Sequence, residues 1–106
     1  MAKYLIEASY TAEGIRGLLK DGGSKRRAAA EAALKSAGAR LEAFYYTFGR
    51  NDAFLIADAP DHATVAALSL SISASGAVTT RTTVLLTPEE IDAAVKKAVS
   101  YTPPGR

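Results

Sequence analysis

Three consecutive cations, Lys25, Arg26 and Arg27, follow Gly22, Gly23 and Ser24 at the head of an alanine-rich segment. These are the parts of an anion site: free backbone N–H groups, a hydroxyl and guanidinium groups at the start of a helix. Without an anion the arrangement is unfavourable, because a helix N-terminus carries positive partial charge. Successive residues turn by about 100° on a helix, so three cannot converge on one ion, although one or two can. Arg27 also has Glu31 four residues on as a local partner. The first glycine of a phosphate loop is missing from the run K-D-G-G-S-K, which argues against nucleotide hydrolysis. An anion site at Ser24, Lys25, Arg26 and Arg27 and a plain solvated helix face both remain open.

Other chemistry is sparse. His62 is the single histidine, and Asp58-x-x-Asp61-His62 matches no standard zinc spacing. No G-x-S-x-G and no Ser-His-Asp set can be read. Asp52 stands in a turn, where an aspartate bonds nearby backbone. There is no cysteine, which excludes disulfides, thiolate nucleophiles and zinc–thiolate sites. No metal and no cofactor is expected. One more polar set, Glu7, Tyr45 and Arg81, becomes a site only if strand pairing brings its members together.

The elements must decide that. Residues 3–10 alternate and are β-prone. Thr11 can cap a helix to residue 19, and Ser24 can cap another to residue 36; Ala28, Ala32, Leu34 and Leu18 supply a small apolar face. Residues 40–48 and 53–57 read as strands around a turn at 49–52. Asp61 can cap a helix whose Val65, Leu68 and Ile72 share one face. Residues 77–86 form a threonine-rich fourth strand. Thr87-Pro88-Glu89-Glu90 is a capping box with proline at the first helical position. The last helix has Ile91, Val95 and Val99 expected inward and Lys96 and Lys97 at its C-terminal end. Residues 101–106 read as an extended tail.

The order β-α-β-β-α-β is the ferredoxin-like split βαβ. The fold class is therefore α+β: a four-stranded antiparallel sheet with helices on one face, plus a C-terminal helix, in one domain over residues 1–106. Strands one and four are neighbours in that order, so Glu7 falls near Arg81 on the open face, with Tyr45 across the sheet. Tyr4, Ile6, Ala8, Val84 and Leu86 read as helix-facing, and Leu5, Glu7, Ser9, Arg81, Thr83 and Leu85 as open. Strands two and three carry apolar residues on both alternating sets. Strands of that kind are usually buried on both faces, so the open face is expected to be covered by another subunit. The register of the hairpin at Gly49 to Asp52 decides which set faces where.

Composition bounds the partners. The chain of 106 residues has 13 basic and 11 acidic side chains, a net charge of +2, and 48% hydrophobic residues. No long basic run suggests nucleic acid. No apolar run approaches the ~20 residues of a membrane span, and the N-terminus lacks a secretory signal pattern. A cytoplasmic location is expected.

The segments KYLIEASYTAEGIRGLLK, GGSKRRAAAEAALKSAG, LEAFYYTFGRND and TPEE resemble the GYD-domain family of small bacterial proteins. The resemblance spans nearly the whole chain. It is carried most specifically by Tyr10 to Gly14 and by the FYYTFG strand entering its turn. Gly49 and Asp52 fit the family's turn, whereas Asn51 stands where the family has tyrosine. The resemblance implies a dimeric α+β-barrel type of domain and no particular reaction. Three functional readings follow. The first is a non-enzymatic homo-oligomer, a dimer or assembly of dimers, with a small ligand between sheets near Glu7, Tyr45 and Arg81. The second is a cofactor-free enzyme, monooxygenase- or isomerase-like, using those three groups. The third is an anion-responsive regulatory binder using Ser24 to Arg27.

Overall fold

A computed structural model describes all 106 residues. The elements run β1 (Ala2–Tyr10), α1 (Ala12–Asp21), α2 (Gly23–Ser36), β2 (Arg40–Tyr46), β3 (Ala53–Ala59), α3 (His62–Ala74), β4 (Val78–Leu85) and α4 (Pro88–Val95). One sheet holds all four strands in the order β2-β3-β1-β4, with every pairing antiparallel. This is the ferredoxin-like arrangement expected from the element order.

Local chemistry starts the helices as the sequence indicates. The Thr11 hydroxyl accepts from the Gly14 amide at 3.2 Å, and the Asp61 carboxylate accepts from the Thr64 amide at 2.8 Å. Thr87 and Glu90 form the reciprocal capping box, each side chain 3.0 Å from the other's amide. The start of α2 differs. Its N-cap is Gly22, at φ +83°, with no side-chain cap bond, and Ser24 lies inside the first turn. Gly22 alone separates α1 from α2, and glycine reaches that left-handed angle without a Cβ clash.

The core lies between the helices and one sheet face. Tyr4, Ile6, Leu55, Ala57, Val65, Leu68 and Leu34 are buried there together. On α2 the inward residues are Ala30, Ala33 and Leu34, followed by the C-cap Ala37, while Ala28 and Ala32 are exposed. The expected face was displaced because an alanine run carries no periodic signal, and only Leu34 marks the direction. On α3, Val65 and Leu68 are buried and Ile72 half-buried, as expected.

The hairpin register is now fixed. Tyr45 pairs with Phe54 and Tyr46 with Ala53, so the connecting loop is residues 47–52. A bulge between Leu41 and Ala43 puts Leu41 opposite Ala57 and Phe44 opposite Leu55. Both therefore face the helices despite their odd spacing, which is what one extra residue does to alternation. Strand β2 ends at Tyr46, two residues short of Phe48, and β3 runs on to Ala59.

The C-terminal helix departs most from expectation. Ile91, Val95 and Val99 are 46%, 77% and 82% exposed. The helix ends at Val95, with Lys96 as its C-cap, and no residue of α4 is buried. The chain measures 57 × 32 × 23 Å with a radius of gyration of 17.0 Å, against about 13 Å for a compact chain of this length. The capping box makes the helix, but nothing in the same chain covers its apolar side.

Candidate functional site

The open sheet face brings the predicted trio into one row. Glu7 pairs directly with Arg81 on β4 and with Phe54 on β3, and Phe54 pairs with Tyr45 on β2. The order across four strands is Tyr45, Phe54, Glu7, Arg81, with the Tyr45 and Phe54 ring centroids 6.4 Å apart. Glu7 does not bond Arg81. Its Oε2 instead accepts from Asn51 Nδ2 at 2.5 Å, and Asn51 Oδ1 accepts from the Ser9 hydroxyl at 3.2 Å. Arg81 belongs to none of the ion pairs of the chain. Asn51 is thus the residue that orients Glu7. Its role is not legible in the sequence, because Glu7 lies 44 residues away.

The remaining titratable candidates serve the fold. Asp52 Oδ2 accepts from the Tyr10 amide at 2.7 Å, and the Asp52 amide donates to the Ala8 carbonyl at 2.9 Å. These bonds tie the 47–52 loop to β1. His62 Nδ1 lies 2.6 Å from the hydroxyl of Tyr4, a core residue 1% exposed, and the two rings meet edge to face. Asp58 is 6% exposed and accepts from Arg40 at 2.8 Å and Lys3 at 2.9 Å. Lys3 also bonds Glu42 at 2.9 Å. The Arg40 and Lys3 hydrogen bonds, in that order, hold the Asp58 carboxyl below its ordinary value. This network was not legible, because Asp58 lies 18 residues from Arg40 and 55 from Lys3. No cluster of three His, Asp or Glu side chains could hold a metal ion.

Two of the α2 cations lie near a carboxylate. Lys25 Nζ is 3.6 Å and Arg26 Nη1 3.9 Å from the Asp21 carboxylate at the end of α1. The Gly22 break places that negative charge beside the positive end of α2, where it is favourable. Arg27 makes no ion pair with Glu31. Arg26 lines a cavity.

That cavity, about 130 Å³, lies between α2 and α3 over the covered sheet face, and 13 of its 16 lining residues are hydrophobic. Ala29, Ala30 and Ala33 on α2 oppose Leu68, Ser69 and Ile72 on α3. Methyl groups are too short to fill the gap over Ile6, Ala8 and Leu55, so the alanine run that made α2 a good helix also leaves the space. Arg26, Tyr10 and Thr80 are among the other lining residues. Next to Tyr10, the Tyr46 ring packs edge-on against cavity-lining Phe44, centroids 5.1 Å apart, and its hydroxyl donates to the Gly23 carbonyl at 2.9 Å. Burial first, and Tyr10 second, raise the Tyr46 phenol above its ordinary value, while the charge of Arg26 pulls the other way.

No helix is long and apolar enough to cross a membrane. No curated protein and no solved structure matches the chain. The family model for the GYD domain matches residues 4–95, from the first core tyrosine of β1 to the end of α4. The strand–turn unit, the broken helix pair and the capping-box helix described above all fall inside that span, and the chain belongs to the GYD-domain family.

Proposed function

We propose that this chain is a non-enzymatic, homo-oligomeric domain whose open sheet face packs against a second copy of itself. The observation that carries the reading is the row structure of that face. Leu5 pairs with Ile56, and Ile56 with Ala43, in one row; Phe54 pairs with Tyr45 in the next. No helix covers them, and Tyr45 is 65% exposed. Contiguous apolar surface of this kind marks an interface. Two facts add support. Glu7 and Arg81 lie side by side without an ion pair, so a two-fold partner can offer each an opposite charge. Helix α4 follows edge strand β4 with Ile91 and Val95 uncovered, apolar surface that a neighbour can cover. A closed interface would enclose the Tyr45–Glu7–Arg81 row, which suits a small polar ligand between the sheets.

Light scattering on the eluting peak of a sizing column tests this. The chain should travel at twice its 11.1 kDa mass. Ile56→Glu should drive the mass toward the monomer, because an unpaired carboxylate at the centre of an apolar interface is costly. Lys35→Glu, on exposed α2 surface, should leave the mass unchanged. A monomer in all three samples overturns the reading.

The same row favours a second reading, a cofactor-free enzyme acting on an apolar organic substrate with Glu7, Tyr45 and Arg81 as its polar groups. It requires that Glu7→Gln abolish turnover of a substrate while the dimer persists. The first reading requires only that the dimer persist.

A further inference from the structure

The cavity between α2 and α3 lies on the opposite side of the sheet from the open face, and its lining suggests a separate use. Its wall is mostly apolar, with Arg26, Ser69 and Thr80 as the polar residues. A void of about 130 Å³ is close to the space of one six-membered ring, since an engineered apolar cavity of about 150 Å³ takes benzene. The apolar wall is made by Ala30, Ala33, Leu55, Leu68 and Ile72.

Arg26 and Tyr10 both line the cavity, and Tyr46 lies beside them. The one acidic partner of Arg26, Asp21, is 3.9 Å away, beyond hydrogen-bond distance. A guanidinium has five donors in a planar fork that matches a carboxylate. Arg26 therefore keeps donors for a further anion. Tyr10 adds a phenol on the same wall. We propose that this cavity binds a monocyclic aromatic carboxylate, its ring between the alanines of α2 and Leu68 and Ile72 of α3, and its carboxylate on Arg26. The three cations that opened the sequence thus have unequal roles. Lys25 faces Asp21, Arg27 is solvated, and Arg26 serves the cavity.

The test uses the full-length protein, benzoate as the probe and benzyl alcohol as its uncharged counterpart, in chloride buffer. Methyl resonances of Ala30, Ala33, Leu68 and Ile72 report occupancy of the cavity. Benzoate should shift them and bind at least tenfold more tightly than benzyl alcohol. Arg26→Gln should abolish the tenfold preference and leave benzyl alcohol binding unchanged. Ala30→Leu should fill the void and abolish binding of both probes while the protein stays folded by thermal unfolding; Ala33→Leu serves where Ala30→Leu does not fold. Equal affinity for the two probes in the unmodified protein overturns the assignment of an acid to Arg26. Shifts from neither probe overturn the cavity as a site.

Discussion

Asp58 is the one buried charged residue of the chain. It is almost fully buried, and its two oxygens are held by Arg40 and Lys3 from neighbouring strands. Asp58→Asn removes the charge while both cations remain, and should lower unfolding stability at neutral pH by about 1–3 kcal/mol, the scale of hydrogen bonds to charged groups. Denaturant titration at pH 7 checks this. The pH dependence has a definite sign. The folded pKa lies below the ordinary 3.8, so the contribution is fully present above that value and is lost as the pH falls through the lowered one. Acid unfolding of the native chain should therefore steepen below about pH 4 relative to Asp58→Asn, whose side chain does not titrate. A second residue-scale prediction concerns Tyr4. Tyr4→Phe keeps the buried ring and deletes the bond to His62, which should cost about 0.5–1.5 kcal/mol. Thermal unfolding of the variant measures that cost. Residues whose partners are three positions away, such as Thr11, Asp61 and Thr87, were legible in the sequence. Asp58, Asn51 and His62 were not, because their partners arrive from other strands.

At the scale of elements, the order, the sheet and the helix starts followed from alternation and capping chemistry. What escaped was orientation. A run of alanines specifies a helix without specifying its buried side, so α2 turned Ala30 and Ala33 inward where Ala28 and Ala32 were expected. The bulge after Leu41 was equally hidden, since one extra residue leaves no mark on composition. Some element contacts are nevertheless tight. A Cβ on Gly14 would fall 2.0 Å from the Ala77 carbonyl oxygen, the same oxygen that accepts from the Thr11 amide at 2.9 Å. Gly14→Ala must push the start of α1 away from the entry to β4. Overpacking of that kind typically costs about 1–3 kcal/mol, here against a carbonyl that cannot rotate aside. Amide exchange at Thr11 should accelerate in that variant, whereas exchange at the centre of α3 should change only with global stability. Gly17, with nothing within 4 Å of its added Cβ, is the matched control, and Gly17→Ala should be neutral or stabilising by up to about 1 kcal/mol.

The whole molecule is a half-covered object. One sheet face carries the helices and the core; the other carries Leu5, Phe54, Ile56 and Leu85 under no cover, and α4 extends beyond the body. Strand pairing and helix capping account for the fold, and the uncovered surfaces account for the proposed partner. Helix α4 was expected inward because Ile91, Val95 and Val99 sit at helical spacing. That spacing says a face is apolar and leaves open which chain will cover it. If a second copy does, proteolysis should spare α4 in the assembled protein and remove it quickly from Ile56→Glu. Sedimentation equilibrium of the unmodified chain, from submicromolar to high micromolar concentration, tests the central claim most directly. The account predicts a mass of twice 11.1 kDa, or a multiple of that dimer, with dissociation only at the dilute end. A single species of 11.1 kDa across the whole range would contradict it, and would mean that the apolar sheet face stands in water.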